Sequence, residues 1–261
     1  MPKRARSGSM SGSASAKKRY RRGRYPYARR YRPTYVRPGY GAIGRTPGGA
    51  VLGEMKYFDT AVNDAGIPNT ATWVGGVIDP PTFNTLCCPV VGAAFNQRIG
   101  KEINVVKIKI HGKILFNPVS SSAAPVTPTV IRLGLFQDLQ TNATQATGQQ
   151  LMTPTATVGQ APLTFQNIDN FGRFRVLKDK VMKLEDPNLV GTDTVMDTNG
   201  VVKHFKWTVK FRIPVKMRFN QVNGGTIADI IDNSFHLYAN SDGLSSGYCR
   251  LTYLSRVTYK E

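Results

Sequence analysis

The chain has 261 residues, and its 35 Lys and Arg against 16 Asp and Glu give a formal net charge of +19, which points to a polyanionic partner. Three cysteines, Cys87, Cys88 and Cys249, form neither a disulfide framework nor a paired zinc motif, so we expect buried thiols in a reducing compartment. No apolar stretch is long enough for a transmembrane helix, and the N-terminus lacks an apolar signal segment. We therefore expect no membrane insertion.

The basic excess is concentrated at the N-terminus. Residues 1–53 contain 14 Lys and Arg and no acidic residue, whereas the other 21 basic and all 16 acidic residues lie in 54–261. Residues 1–53 also lack Phe, Trp and Cys, so the apolar surface that they could bury does not offset the entropy of ordering them. The sequence predicts a disordered basic arm and hinge over 1–53 and one domain over 54–261.

Arginine and lysine are interleaved with tyrosine along this arm. Cationic side chains neutralise phosphates and release counterions. Tyrosine rings stack on unpaired bases. The combination favours single-stranded nucleic acid bound without sequence preference. The predicted nucleic-acid-binding residues are Lys3, Arg4, Arg6, Lys17, Lys18, Arg19, Tyr20, Arg21, Arg22, Arg24, Tyr25, Tyr27, Arg29, Arg30, Tyr31, Arg32, Tyr35 and Arg37.

The same arm has the spacing of a two-part nuclear import signal. A basic pair near the N-terminus is followed, after twelve residues, by a second basic cluster. Nuclear import receptors are therefore expected partners. The predicted import residues are Lys3, Arg4, Lys17, Lys18, Arg19, Arg21 and Arg22.

Beyond the arm, apolar and polar residues alternate with a period of two, which is typical of strands with one buried face. The longest run, 205–219, places eight large apolar residues at alternate positions and predicts a bulge or bend at Pro214. Further strands are predicted at 106–116 and 249–259, and Val130 to Phe136 is predicted to be buried on both faces. Shorter candidate strands are 54–62, 72–78, 173–184, 226–231 and 233–240.

Long polar segments connect these strands, at 118–128, 141–162 and 185–200. Many strands, long loops and almost no helical periodicity predict an all-β sandwich or jelly roll. The shared parity of apolar residues on the two longest strands predicts the core. The expected core residues are Ile108, Ile110, Ile114, Phe116, Phe205, Trp207, Val209 and Phe211.

Motifs associated with catalysis lack the context that they need. Residues 39–44 match G-x-G-x-x-G, but no strand precedes them, so a hinge is expected. Residues 243–247 match G-x-S-x-G, but a strand rather than a helix follows, so a turn is expected. We expect no enzyme activity, cofactor or metal site. Surface or core positions are expected for His111, His204 and His236, and a solvated loop for Glu185, Asp186, Asp193 and Asp197.

The polar faces of two predicted strands are strongly basic. They are either solvated or contact nucleic acid, a neighbouring subunit or an anionic cell-surface polymer, and the sequence leaves these alternatives open. The residues are Lys107, Lys109, Lys113, Lys206, Lys210, Arg212, Lys216 and Arg218.

Several segments together resemble the single-jelly-roll capsid proteins of circular, Rep-encoding single-stranded DNA viruses, which include circovirus-like capsids and are similar to satellite-virus shells. The resemblance spans nearly the whole chain, from the Arg/Tyr-rich arm to the C-terminal strand. Its segments are Met55-Lys56-Tyr57-Phe58-Asp59-Thr60, Asn96-Gln97-Arg98-Ile99-Gly100, Leu133-Gly134-Leu135-Phe136-Gln137-Asp138, Arg173-Phe174-Arg175-Val176-Leu177 and Arg250 to Tyr259.

This resemblance implies an eight-stranded antiparallel jelly roll and a closed icosahedral T=1 shell of about 60 copies of one protein. It also implies an inward arm that packages genomic single-stranded DNA, with import into the host nucleus during assembly and a final location in the virion. Two alternatives remain open at this point. One is a cellular nucleic-acid-binding β-sandwich with a basic tail, and the other is a β-sandwich hydrolase.

Overall fold

The computed structural model describes residues 54–116, 129–184, 202–220, 224–243 and 248–261. In these ranges strands dominate, and the helical elements are one turn of α-helix, α1 (Gly148–Leu151), and three 3₁₀ segments, Val158–Leu163, Ile168–Asn170 and Ile227–Asp229. The strands are β1 (Met55–Gly66), β2 (Glu102–Phe116), β3 (Thr129–Asp138), β4 (Phe174–Leu184), β5 (Val202–Phe219), β6 (Ile230–Asp232), β7 (Ser234–Ser241) and β8 (Cys249–Lys260).

The strands form two antiparallel sheets. One has the order β1-β8-β2-β5-β6 and the other the order β4-β3-β7. A bridge between Val77 and Tyr238, with the Ile78 N–H donating to the Leu237 carbonyl at 2.8 Å, adds a short extended segment to β7. The chain passes from one sheet to the other between β2 and β3, β4 and β5, β6 and β7, and β7 and β8. The predicted all-β jelly-roll sandwich is confirmed.

Two predicted strands differ from the structure. The segment 72–78 is reduced to the bridge at Val77, because Trp73 and Gly75 have φ values of 59° and 71°, which extended backbone does not allow. The segment 226–231 begins as the 3₁₀ turn Ile227–Asp229, and only its end joins the three-residue β6.

The core lies between the sheets. Ile108, Ile110 and Ile114 of β2 and Phe205 of β5 are buried, as predicted. Three further β5 positions were predicted to be buried but are only half-buried against this core. The short β6 leaves most of β5 at the edge of its sheet, so these side chains stay partly exposed. These positions are Trp207, Val209 and Phe211; the side chain of Phe116 lies outside the described residues.

A large bulge interrupts β5. Between the pairs Val105–Val215 and Lys107–Lys210, β2 advances by two residues and β5 by five. Pro214 lies in this interval, as the sequence predicts, since proline cannot donate to a ladder. The bulge also breaks the predicted alternation, because Ile213 is 81% exposed instead of facing the core. The sheet is thus divided into a part before the bulge and a part after it.

The three cysteines are buried and free, as predicted. Burial raises the pKa of Cys88 and of Cys249 to about 12, and burial also raises the pKa of Cys87 well above its usual value. The thiol of Cys88 donates to the carbonyl of Thr226 at 2.8 Å. Within the described ranges, no helix is both long and apolar enough to cross a membrane.

Candidate nucleic-acid interface

The outer surface of the five-stranded sheet carries a cluster of lysines on β2 and β5. On β2, Lys109 and Lys113 are exposed because Ile108, Ile110 and Ile114 on the alternate positions are buried. The pairing of β2 with β5 places exposed lysines of β5 on the same surface. We call this cluster the basic face; it comprises Lys107, Lys109, Lys113, Lys206 and Lys210.

The register of the two strands brings like charges opposite one another. Lys107 pairs with Lys210, and His111 pairs with Lys206. Side chains at such positions have Cβ atoms about 5 Å apart, and like charges there destabilise a sheet. Among the described residues, no carboxylate forms an ion pair with a lysine of the basic face. Among the residues that the structure describes, this surface therefore has a positive charge that no carboxylate compensates.

One lysine of the basic face has a lowered pKa. The pKa of Lys107 is lowered by burial and then by the neighbouring ammonium groups of Lys109 and Lys210. A phosphate close to these groups favours their charged forms, so the cluster is electrostatically prepared for an anion.

Cations on the other side of the β5 bulge are compensated. Lys216 contacts Glu102 at 2.8 Å, and the guanidinium of Arg218 binds the carboxylate of Asp232. Lys216 and Arg218, two of the eight basic residues identified from the sequence, are therefore ion-paired. A third, Arg212, lies in the bulge itself. The bulge therefore separates a neutralised part of the sheet from the basic face.

A cleft of about 380 Å³ lies beside the basic face. Lys109 and His111 on β2 line one side, and the exposed Leu254 on β8 contributes an apolar surface. Arg256 also lines the cleft, but its guanidinium is held by both carboxylate oxygens of Asp59, at 2.7 and 2.5 Å. Since Arg256 is paired with Asp59, Lys109 is the cation of the cleft that no described carboxylate compensates. The residues that line this cleft are Asp59, Thr60, Ala61, Lys109, His111, Leu254, Ser255 and Arg256.

The structure also contains a Ser–His–Asp arrangement that sequence spacing did not reveal. His236 is bound through Nδ1 to Asp79 and through Nε2 to the Ser234 hydroxyl at 2.6 Å. Asp79 also accepts the Leu237 N–H at 3.0 Å and the Gln145 amide at 3.1 Å. His236, Asp79 and Ser234 are all buried, so no substrate can reach the hydroxyl. This network is the satisfied core histidine expected for His236, whereas His111 and His204 are exposed, as expected for surface histidines.

Replacing Asp79 by Ala is expected to lower the free energy of unfolding by about 3–5 kcal/mol, because His236 and the Leu237 N–H lose their buried acceptor. The matched control is Asp59→Ala, which removes an exposed ion pair with Arg256 and should change stability by about 1 kcal/mol or less. Chemical denaturation measures both. Equal effects would show that the buried network contributes no more than a surface pair.

The predicted arm residues, from Lys3 to Arg37, lie outside the described residues, as do the motif at 39–44 and the acidic segment 185–200. The turn prediction at 243–247 is also outside them except for Gly243, and the strand predicted after it is β8. No group of three or more His, Cys, Asp or Glu in the described ranges is arranged to hold a metal ion.

No protein-family model matches the chain, and no curated protein is significantly similar to it. Among solved structures, it is similar to a chain in the crystal structure of the T13 IBDV viral particle, with 11% sequence identity and a TM-score of 0.24. The match covers 84% of this chain and 39% of that one, so this chain spans about two fifths of the length of its neighbour. A likeness this weak carries no argument about function.

Proposed function

We propose that this protein is a viral capsid subunit, without enzyme activity, that assembles into a closed shell and packages single-stranded nucleic acid. The observation that carries the proposal is the basic face, a set of five lysines without a described carboxylate partner, on a jelly-roll sandwich. Like charges opposite one another destabilise the sheet, and a bound polyanion would relieve that repulsion.

The arm and the basic face support the same ligand. The arm supplies 14 positive charges and six tyrosines, which suit unpaired bases as well as phosphates. Alternate residues on a strand are about 6.6 Å apart, so the lysines of β2 and β5 form a two-dimensional array rather than a single anion site. An array of this kind binds a flexible chain of phosphates without reading its sequence.

The finer part of the proposal rests on the sequence resemblance. It comprises circular single-stranded DNA as the genome, about 60 copies in a T=1 shell, import into the host nucleus through the arm, and a final location in the virion. The basic face is also the surface on which an anionic cell-surface receptor would bind if it faced outward.

The expressed full chain is expected to form uniform closed particles that contain nucleic acid. Electron microscopy and sedimentation test assembly, and the ratio of absorbance at 260 and 280 nm tests packaging. A cellular nucleic-acid-binding β-sandwich would bind single strands but form no closed particles. A monomer at high protein concentration and low salt would contradict the capsid proposal.

A further inference from the structure

A segment between β3 and β4 has inverted polarity. Its large apolar side chains point to solvent, with exposures between 65% and 85%, whereas Thr164 is buried and Gln166 and Asn167 are half-buried. Monomeric proteins rarely expose large apolar residues in such a cluster, and such clusters mark interaction surfaces. We call these four residues the apolar ridge; they are Leu163, Phe165, Ile168 and Phe171.

Hydrogen bonds hold the apolar ridge in place. The Phe165 carbonyl accepts the Thr153 N–H at 3.0 Å. The Thr164 hydroxyl donates to the Thr153 carbonyl at 2.8 Å, and the Gln166 amide donates to the Phe174 carbonyl at 3.1 Å. The side chains of Thr164 and Gln166 are thus bound to the domain, and the apolar side chains next to them stay at the surface. The exposure is a property of a fixed backbone.

A second apolar surface lies on a different connection, between β1 and β2. Here Val91, Phe95 and Ile99 are 41–68% exposed. The backbone pairs twice across this loop, with the Gly92 N–H donating to the Arg98 carbonyl and the Arg98 N–H to the Val90 carbonyl, both at 2.8 Å. Beside it is a cleft of about 360 Å³ with both apolar and cationic side chains, which we call the β1–β2 cleft; its lining is Val91, Arg98, Ile99, Gly100, Lys101 and Asn220.

We propose that the apolar ridge of one copy docks into the β1–β2 cleft of a second copy of this chain, where Val91 and Ile99 offer the apolar contacts. The contact deepens the proposed capsid function and rests on it. Because ridge and cleft belong to different connections, each copy has one of each, and the contact is heterologous. When such a contact is repeated from copy to copy, it forms a ring if the rotation between successive copies leads back to the first copy.

Size and charge favour a second copy as the occupant. Since a buried aromatic ring covers about 150–250 Å², the four ridge side chains offer on the order of 500 Å², most of the roughly 800 Å² per partner in a standard interface. The ridge carries the exposed Asp169, and the cleft has the exposed Lys101 in its lining. A carboxylate near the cleft, that of Glu261, accepts the Ile99 N–H at 2.6 Å and lies 3.1 Å from the ammonium of buried Lys56, which compensates its charge.

Two variants of the full-length chain test the contact. The ridge variant is Phe165→Asp with Ile168→Asp, and the cleft variant is Val91→Asp with Ile99→Asp. Each is expected to keep the wild-type denaturation midpoint, because the changed side chains lie at the surface, and each is expected to form no particles. The matched control, Ile213→Asp, changes an equally exposed side chain on β5 and should assemble like the wild type.

Mixing the two variants in equal amounts gives the decisive result. A dimer can then form, because the intact ridge of the cleft variant meets the intact cleft of the ridge variant, but the defective surfaces at its ends prevent growth. Sedimentation is expected to show dimers in the mixture and monomers in each variant alone. A mixture that stays monomeric, variants that assemble normally, or equal loss of assembly in Ile213→Asp would each overturn the contact. Normal particles from the ridge and cleft variants would leave the capsid proposal intact, whereas no particles from the wild type would contradict both.

Discussion

Deletion of residues 1–45 is expected to abolish nucleic-acid packaging and nuclear accumulation together, while the sandwich stays folded. The deletion removes all 14 positive charges of residues 1–53, and every core residue of the described sandwich lies after it. In a shell of about 60 copies, the arms supply about 840 positive charges, which neutralise a comparable number of phosphates. Absorbance ratios of purified particles, fluorescence microscopy and chemical denaturation measure the three outcomes.

A tyrosine variant separates charge from stacking in the arm. Replacing its six tyrosines by Ser, with every Arg kept, should weaken binding to single strands by about 1–3 kcal/mol per engaged base while the dependence on salt stays nearly unchanged, since that dependence counts phosphate contacts. If the variant that lacks residues 1–45 bound single strands as strongly as the full chain, the nucleic-acid site would lie on the basic face alone. The tyrosines are Tyr20, Tyr25, Tyr27, Tyr31, Tyr35 and Tyr40.

Removal of four charges from the basic face is expected to reduce the salt dependence of the binding that remains in the arm-deleted protein. Each phosphate contact contributes about 0.7 to the slope of log K against log salt for single strands, so Lys107, Lys109, Lys206 and Lys210 all changed to Gln should lower the slope by about 3. The same variant should gain stability, because the Lys107–Lys210 repulsion is removed. Titration of a fluorescent oligonucleotide and chemical denaturation measure the two effects.

The control for this experiment removes the same charge from the other sheet. Arg175, Lys178, Lys180 and Lys183 are exposed on β4, and their replacement by Gln leaves the basic face intact. The two variants have equal net charge, so a slope that falls equally in both would show that total charge, rather than the basic face, determines binding.

Local alternation was sufficient to predict most of the sandwich. The run from Phe205 to Phe219 identified a strand and Pro214 its interruption, but on the predicted face only Phe205, Met217 and Phe219 are buried. The two-sided burial of β3 also followed from its sequence, since a strand paired on both edges and covered by core residues is apolar on both parities. The basic face was predicted as two basic strands. That Lys107 lies opposite Lys210 depends on the register between β2 and β5, which the paired strands define and local sequence does not.

Features that depend on distant residues were missed. Asp79 and His236 are 157 positions apart, so no local pattern joins them. The failed strand at 72–78 has apolar residues suitable for a strand, and only the positive φ of Trp73 and Gly75 excludes it. The apolar ridge lies next to a segment predicted as loop, where exposure cannot be assigned from composition. The alternation of apolar and polar residues in 163–166 was the available signal.

The short β6 has a consequence for solubility. It pairs with β5 only at Arg218 and Phe219, so within the described ranges the rest of this 18-residue strand has no neighbour on that side. An open edge of this length can recruit strands of other molecules into aggregates. The bulge at Pro214 and the lysines at 206 and 210 oppose such pairing by distorting and charging the edge. The lysines that we propose as a nucleic-acid site therefore also oppose aggregation through this edge.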